Sequence, residues 1–444
     1  MTWPPTGSAM SPVSGPNPLS GPNPPGSPNP PGSPSGPNPP SGLSGPSGLS
    51  GSVREALAAG GPERVLQLAR TARGPLVEPT ADPETYDVTF VFADRGREAR
   101  AVGLFCAAVP SGFARLPALG AGVFAQTFPL PRGTRVKYHF APDPPDHLDG
   151  DALFRLAHSP TARRLDRLNP HVDQVHVRGL RVRMLDSLLT LPGARTGPPP
   201  AAVGGAAGTV ETLTLHSAAL GRRKDVVVHL PAGYEPGRGR YPLVLLLEGN
   251  EEWRDPAFLD SLAATGLVEP FVAVRFDDRR FTARLRDLNG GPAHTRFVLD
   301  ELLPELARRH AVSTVDMTVA GYSAGGLAAA ALALDEPDRF GRLAVVSGAL
   351  HLTAEMDVRR ADGGSTRLLD RYAAATAVPG QVYLAAGTYE DSWLSDIDRQ
   401  TRALAECLRE RGATVRFDTG PTGHDTRSAR AYLADGLAWL LPAR

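Results

Sequence analysis

From about Val210 onward, short and nearly continuous apolar runs alternate with stretches of helical spacing. VETLTLH and DVVVHLP read as an antiparallel entry hairpin, followed by the strand-like runs YPLVLLLEG, PFVAVRF, VDMTVAG, LAVVSG, QVYLAAG and TVRFDTG. TRFVLDELLPELARRH, SAGGLAAAALALD, DIDRQTRALAECLRERG and SARAYLADGLAWLL are helical and lie between these runs or close the chain. Apolar strands alternating with helices predict a mostly parallel sheet covered on both faces. Upstream the period changes. Between Asp82 and Pro142 the runs YDVTFVFAD, AVGLFCAAV, GVFAQTFPL and RVKYHFAP are separated by turn residues, the pattern of a small all-β sandwich of immunoglobulin-like type.

Before that sandwich, Val53 to Arg73 has helical spacing broken at Gly60-Gly61-Pro62, which predicts two short helices. Residues 1–52 are a loose repeat of Gly, Pro, Ser and Asn with almost nothing apolar to bury. Such a segment cannot offset its ordering entropy and is expected to be disordered. A Pro-rich ligand for an aromatic groove is its functional alternative. Residues 143–208 are weakly periodic and end in a Pro/Gly/Ala-rich stretch. The expected organisation is therefore a tail (1–52), a helix pair with β-sandwich (53–196), a linker (197–208) and an α/β domain (209–444).

The 444 residues carry 47 basic and 47 acidic side chains, so no global field favours nucleic acid or an anionic membrane. A small-molecule partner is the better expectation, and the oligomeric state is left open. The two cysteines, Cys106 and Cys407, lack metal-ligand spacing and read as buried thiols. The first charged residue is Arg54, and no apolar run approaches the ~20 residues that span a bilayer. A cytoplasmic location is the default expectation.

Candidate chemistry centres on Gly321-Tyr322-Ser323-Ala324-Gly325, between the strand VDMTVA and a helix rich in small residues. This is the context of a nucleophile elbow, which points to an α/β-hydrolase sandwich with Ser323 as nucleophile. A serine hydroxyl needs a base, which in this fold follows the last strand, where His424 sits in PTGHD. His351 precedes the expected acid and reads as a pocket wall or surface residue. The acid should follow QVYLAAG, where Glu390 is the first choice and Asp391 or Asp396 would serve the same physics. Asp425 is too close to His424 in sequence to orient it easily. Two backbone donors are needed for the oxyanion: Ala324, and Asn250 after YPLVLLLEG, with Glu251 next in line. No metal constellation and no nucleotide loop accompanies these groups, so no cofactor is inferred.

These residues resemble the enterochelin esterase family, cytoplasmic hydrolases that open the trilactone of catecholate siderophores after iron uptake. The likeness spans roughly residues 82–444. It rests on the colinear segments RGTRVKYHF, LNP, LLLEGNEEW, ARLRDLN, DELLPELARR, GYSAGGLAA, EPDRFG, VVSG, AAGTYE and GHD. The resemblance implies that Ser323, Glu390 and His424 are nucleophile, acid and base, and that Arg284, Trp253 and Arg430 face the substrate. A structural salt bridge is the other reading of either arginine. The chain departs from the family at Glu248-Gly249, at Ala349-Leu350-His351-Leu352 in place of an aromatic pair, and at Ser428-Ala429 in place of a tryptophan, which reduces stacking surface for catechol rings.

Three functions are therefore expected in order. The first is a serine esterase acting on an ester or lactone, with a ferric catecholate trilactone favoured. The second is a carboxylesterase or acyltransferase acting on another acyl ester. The third is a catalytically silent ligand-binding protein.

Overall fold

The computed structural model describes residues 48–96, 98–177, 182–198, 207–247, 253, 255–276, 287–288, 291–350, 367–391 and 396–443. Most of the segment read as a tail lies outside them. Its last residues, 48–52, are engaged: the Gly48 carbonyl accepts from Thr127 N–H at 2.6 Å, and Leu49 is buried. Helix α1, Gly51–Ala72, follows at once, with non-helical backbone at Gly60 and Gly61 where the sequence predicted the break. Pro62 has no N–H to donate, and the positive φ of 65° at Gly61 suits a residue without Cβ.

Two antiparallel sheets come next. One contains β1 (Leu76–Pro79), β2 (Thr85–Ala93), β6 (Val123–Pro131) and β5 (Ala118–Gly120), in that spatial order. The other orders β4 (Phe113–Leu116), β3 (Val102–Cys106), β7 (Arg135–Pro142), β9 (Val182–Thr190) and β8 (Val172–Val177). Their alternating side chains meet in one core that includes Val88, Phe90, Leu104, Phe124, Tyr138 and Phe140. The outward apolar residues of the first sheet, Val91, Val123 and Ala125, pack with α1 through Val53, Val65, Leu66 and Ala69.

The large sheet has eight strands: β10 (Thr209–Ser217), β11 (Arg222–Leu230), β13 (Val272–Phe276), β12 (Leu243–Leu247), β14 (Thr318–Tyr322), β15 (Arg342–Val346), β16 (Gln381–Gly387) and β17 (Thr414–Gly420). The entry hairpin β10–β11 is antiparallel and joins β13 antiparallel. From β13 to β17 every pairing is parallel. The sheet is therefore mixed, parallel except for that hairpin. Burial on both faces explains the apolar strands. In β12, Leu243, Leu245 and Leu247 enter one core, and Val244 and Leu246 the other. The first core is closed by α5 (Ala324–Asp335), α7 (Ile397–Glu410) and the run α4, whose Pro292–Arg296 helix passes through a π-turn at Phe297–Leu302 into Leu303–Arg309. Helices α3 (Pro256–Ala264) and α8 (Thr426–Leu440) close the second. Here α2 is the short helix Gly150–Ala157 and α6 is Arg367–Ala374.

Because β12 lies between β13 and β14, the strand order reverses beside it. In open α/β sheets this switch point, at the carboxyl ends of the strands, is where a ligand crevice forms. Ser323 directly follows β14.

Candidate active site

At the end of β14 the chain turns straight into α5, leaving Ser323 at φ 57° and ψ −123°. A non-glycine residue held there costs about 1–3 kcal/mol, which the surrounding packing must offset. The turn is tight enough to forbid a side chain at Gly321, whose Cβ would lie 2.0 Å from the Gly325 carbonyl oxygen. The serine backbone is tied down on both sides. Its N–H donates to Val346 O at 3.2 Å, and its carbonyl accepts from Gly326 and Ala349 N–H, each at 2.9 Å. Ala324 is the first residue of α5, so its N–H is one of those a helix start leaves outside the ladder, at the positive end of the dipole.

Three side chains from three loops converge here. The Ser323 hydroxyl lies 3.2 Å from His424 Nε2, and His424 Nδ1 lies 2.9 Å from Glu390 Oε1. A carboxylate only accepts, so Nδ1 carries the proton and Nε2 is left to accept the serine hydroxyl. The other Glu390 oxygen accepts from Gly387 N–H at 2.9 Å. Glu390 has a fully buried side chain, whereas His424 is 34% exposed. The acid is thus held away from water while the imidazole can be reached. The glutamate and histidine loops approach closely because residue 387 is glycine: a Cβ there would sit 2.0 Å from the Thr422 carbonyl oxygen.

The alternative acids are committed elsewhere. Asp391 accepts from Arg399 N–H, and Asp396 accepts from the Arg399 and Gln400 side chains. Asp425 caps α8 through Ser428 N–H at 2.8 Å, and burial raises its carboxyl to about 6. Trp253 is 1% exposed and packs its ring 6.0 Å from that of Tyr322. It therefore backs the site through Tyr322. Arg430 lies with its guanidinium over the Phe258 ring, 4.5 Å from the centroid, a packing position on α8 and α3. Asn250, Glu251, Arg284 and His351 lie outside the described residues. Among the described residues, no group of three or more His, Cys, Asp or Glu could hold a metal ion.

Sequence reasoning did not find Tyr322 as a partner of His424. The two rings stack, with centroids 4.7 Å apart and planes 17° from parallel. Its position immediately before the serine was visible, but its contact with a loop so distant in sequence was not.

A model of the putative esterase family matches residues 217–440, half of the chain and all of the strands and helices that carry these groups. The chain belongs to this family. It is 34% identical over 212 residues to the iron(III) enterobactin esterase of Dickeya dadantii, a match covering 45% of this chain and 48% of that one. It is 25% identical over 165 residues to an endo-1,4-beta-xylanase/feruloyl esterase of Xylanibacter ruminicola, covering 34% and 23% respectively. The chain thus spans about half of the first curated relative and less of the second. Among solved structures, the enterochelin esterase of Shigella flexneri superposes with a TM-score of 0.65 at 26% identity, over 83% of this chain and 95% of that one. The ferric enterobactin esterase of Salmonella typhimurium shares the fold, with a TM-score of 0.67 at 24% identity, over 84% and 97%. No helix among the described residues is long and apolar enough to cross a membrane.

Proposed function

We propose that this chain is a serine esterase that hydrolyses ester or lactone bonds through an acyl-enzyme on Ser323, with an enterobactin-like ferric catecholate trilactone as its substrate. The observation that carries this reading is the unbroken relay from Ser323 through His424 to Glu390. In the first half-reaction Ser323 Oγ attacks the carbonyl carbon while its proton passes to His424 Nε2. Glu390 holds the tautomer and stabilises the imidazolium. Ala324 N–H, with Asn250 as the second donor, receives the developing oxyanion charge. His424 then returns the proton to the leaving alkoxide. A water deprotonated by His424 attacks the acyl-enzyme, and His424 passes that proton to Ser323 Oγ as the acid leaves. The two small antiparallel sheets form, in this reading, an immunoglobulin-like module beside the catalytic sheet.

Two relatives named for enterobactin support the substrate class. A second reading, another acyl ester, draws on the residues that replace the family's aromatic pair: Ala349 and Leu350 are buried aliphatic groups that offer no ring to a catechol.

The test compares turnover of a ferric triscatecholate trilactone with that of p-nitrophenyl acetate by the purified chain and by Ser323→Ala. The proposal expects a kcat/KM at least ~100-fold higher for the trilactone, and loss of both activities in the variant. Equal or better turnover of the simple ester favours the second reading. Undiminished turnover by Ser323→Ala contradicts both.

A further inference from the structure

The loop that carries His424 is held from outside its own sheet. Arg135 opens β7 in the small antiparallel sheet, and its N–H donates to Pro421 O at 3.0 Å. Its carbonyl accepts from Gly423 N–H at 2.9 Å, so Arg135 forms a parallel bridge to Thr422 and brackets the residues just before His424. Two residues beyond the histidine, the Thr426 hydroxyl donates to Asp173 Oδ1 of β8 at 2.6 Å, and both side chains are buried. The glutamate loop is engaged by the same module: Tyr389, the neighbour of Glu390, packs against the core between the two small sheets. The two loops are also joined to each other, since Tyr389 N–H donates to Thr422 O at 3.1 Å.

We infer that the small antiparallel module is a positioning element of the active site: β7 and β8 clamp the His424 loop through Arg135 and Asp173, and so set the distance from Nε2 to Ser323. This rests on the reading of Ser323, Glu390 and His424 as a triad. The physical reason for such a clamp lies in the loop itself. After β17 ends at Gly420, the segment Pro421–Asp425 has no sheet of its own, and its imidazole must be fixed within about half an ångström to act on the serine. Backbone bonds to a neighbouring strand supply that fixation from residues distant in sequence. No contact of Arg135 or Asp173 with the serine is required, so they are positioning residues.

The experiment uses the full chain and p-nitrophenyl acetate. Thr426→Val keeps the shape of the side chain and removes the donor to Asp173. It should lower kcat about 10-fold to 100-fold while KM changes less than ~2-fold, and Thr426→Ser, which restores the hydroxyl, should recover most of the rate. Arg135→Pro deletes the N–H to Pro421 at the first position of a strand, where proline is tolerated. Arg135→Ala, which keeps that N–H, is its control, and the proline variant should be the slower of the two by a similar factor. Melting curves identify which variants are folded, and either pair suffices if a member of the other does not fold. Ser323→Ala, run in parallel, reports on the triad alone: activity surviving in it overturns the triad reading, and the clamp falls with it. With Ser323→Ala inactive, wild-type kcat in a folded Thr426→Val, or equal rates in folded Arg135→Pro and Arg135→Ala, overturns the clamp.

Discussion

Two of the histidine–carboxylate pairs on the large sheet have nearly the same distance. At the carboxyl ends of the parallel strands, His424 Nδ1 lies 2.9 Å from Glu390; at the antiparallel side, His229 Nε2 of β11 lies 3.0 Å from Asp260 of α3. What separates them is the second ring nitrogen. In His424 it faces the Ser323 hydroxyl and the side chain is 34% exposed. In His229 the side chain is 5% exposed, and its Nδ1 is buried with no polar partner among the described residues. Asp260 spends its oxygen on packing as well, accepting from Gly208 N–H at 3.0 Å. A short histidine–carboxylate distance is therefore no mark of catalysis. A serine hydroxyl on the opposite nitrogen and an imidazole open to solvent are what set the His424 pair apart.

That contrast can be broken by exchanging losses between the two regions. If His424 is the proposed general base, His424→Ala should reduce kcat/KM for p-nitrophenyl acetate by about 10⁴-fold to 10⁶-fold. His229→Gln should leave turnover within ~2-fold and cost about 1–3 kcal/mol in urea unfolding, because a flexible amide replaces the fitted imidazole in a buried site. Comparable activity losses in the two variants would dissolve the distinction. Next in size, Glu390→Gln should slow turnover about 10³-fold to 10⁴-fold, since an amide favours the wrong imidazole tautomer. Asp260→Asn, the same chemical change at the other pair, should alter melting and spare kcat.

Much of the candidate constellation was legible in the sequence because each member follows a strand. The order of Ser323, Glu390 and His424 along the chain could be read from apolar runs and turn residues, and the structure brings the three side chains within hydrogen-bonding distance. What was not legible lies where polar residues point inward. Strands β8 and β9 were read as a weakly periodic stretch because Asp173 and Asp186 interrupt the alternation. Both are buried, Asp173 bonded to Thr426, Asp186 to His139 and Arg163. An inward carboxylate looks like a surface residue until its partner is known. The same blindness hid the bridge from Arg135 to Thr422, which depends on a pairing between segments far apart in the chain.

The smallest expected effect is in the pH dependence of stability. Burial holds the His229 imidazole below its ordinary value of 6.5 in the folded state. The unfolded chain therefore takes up the proton first as pH falls, so stability present above that value is lost on acidification towards the folded one. His229→Gln should flatten the decline of the urea midpoint below about pH 6.5 relative to wild type. A decline as steep as that of the wild type would assign the acid sensitivity to other groups, such as His294, which burial lowers to about 4.

The relay itself is tested most directly by covalent labelling. A fluorophosphonate that mimics the tetrahedral intermediate should attach to Ser323, as read by peptide mass spectrometry, and the labelling rate should fall by about 10³-fold or more in His424→Ala. Attachment at another residue, or undiminished labelling of Ser323 without His424, would contradict the account.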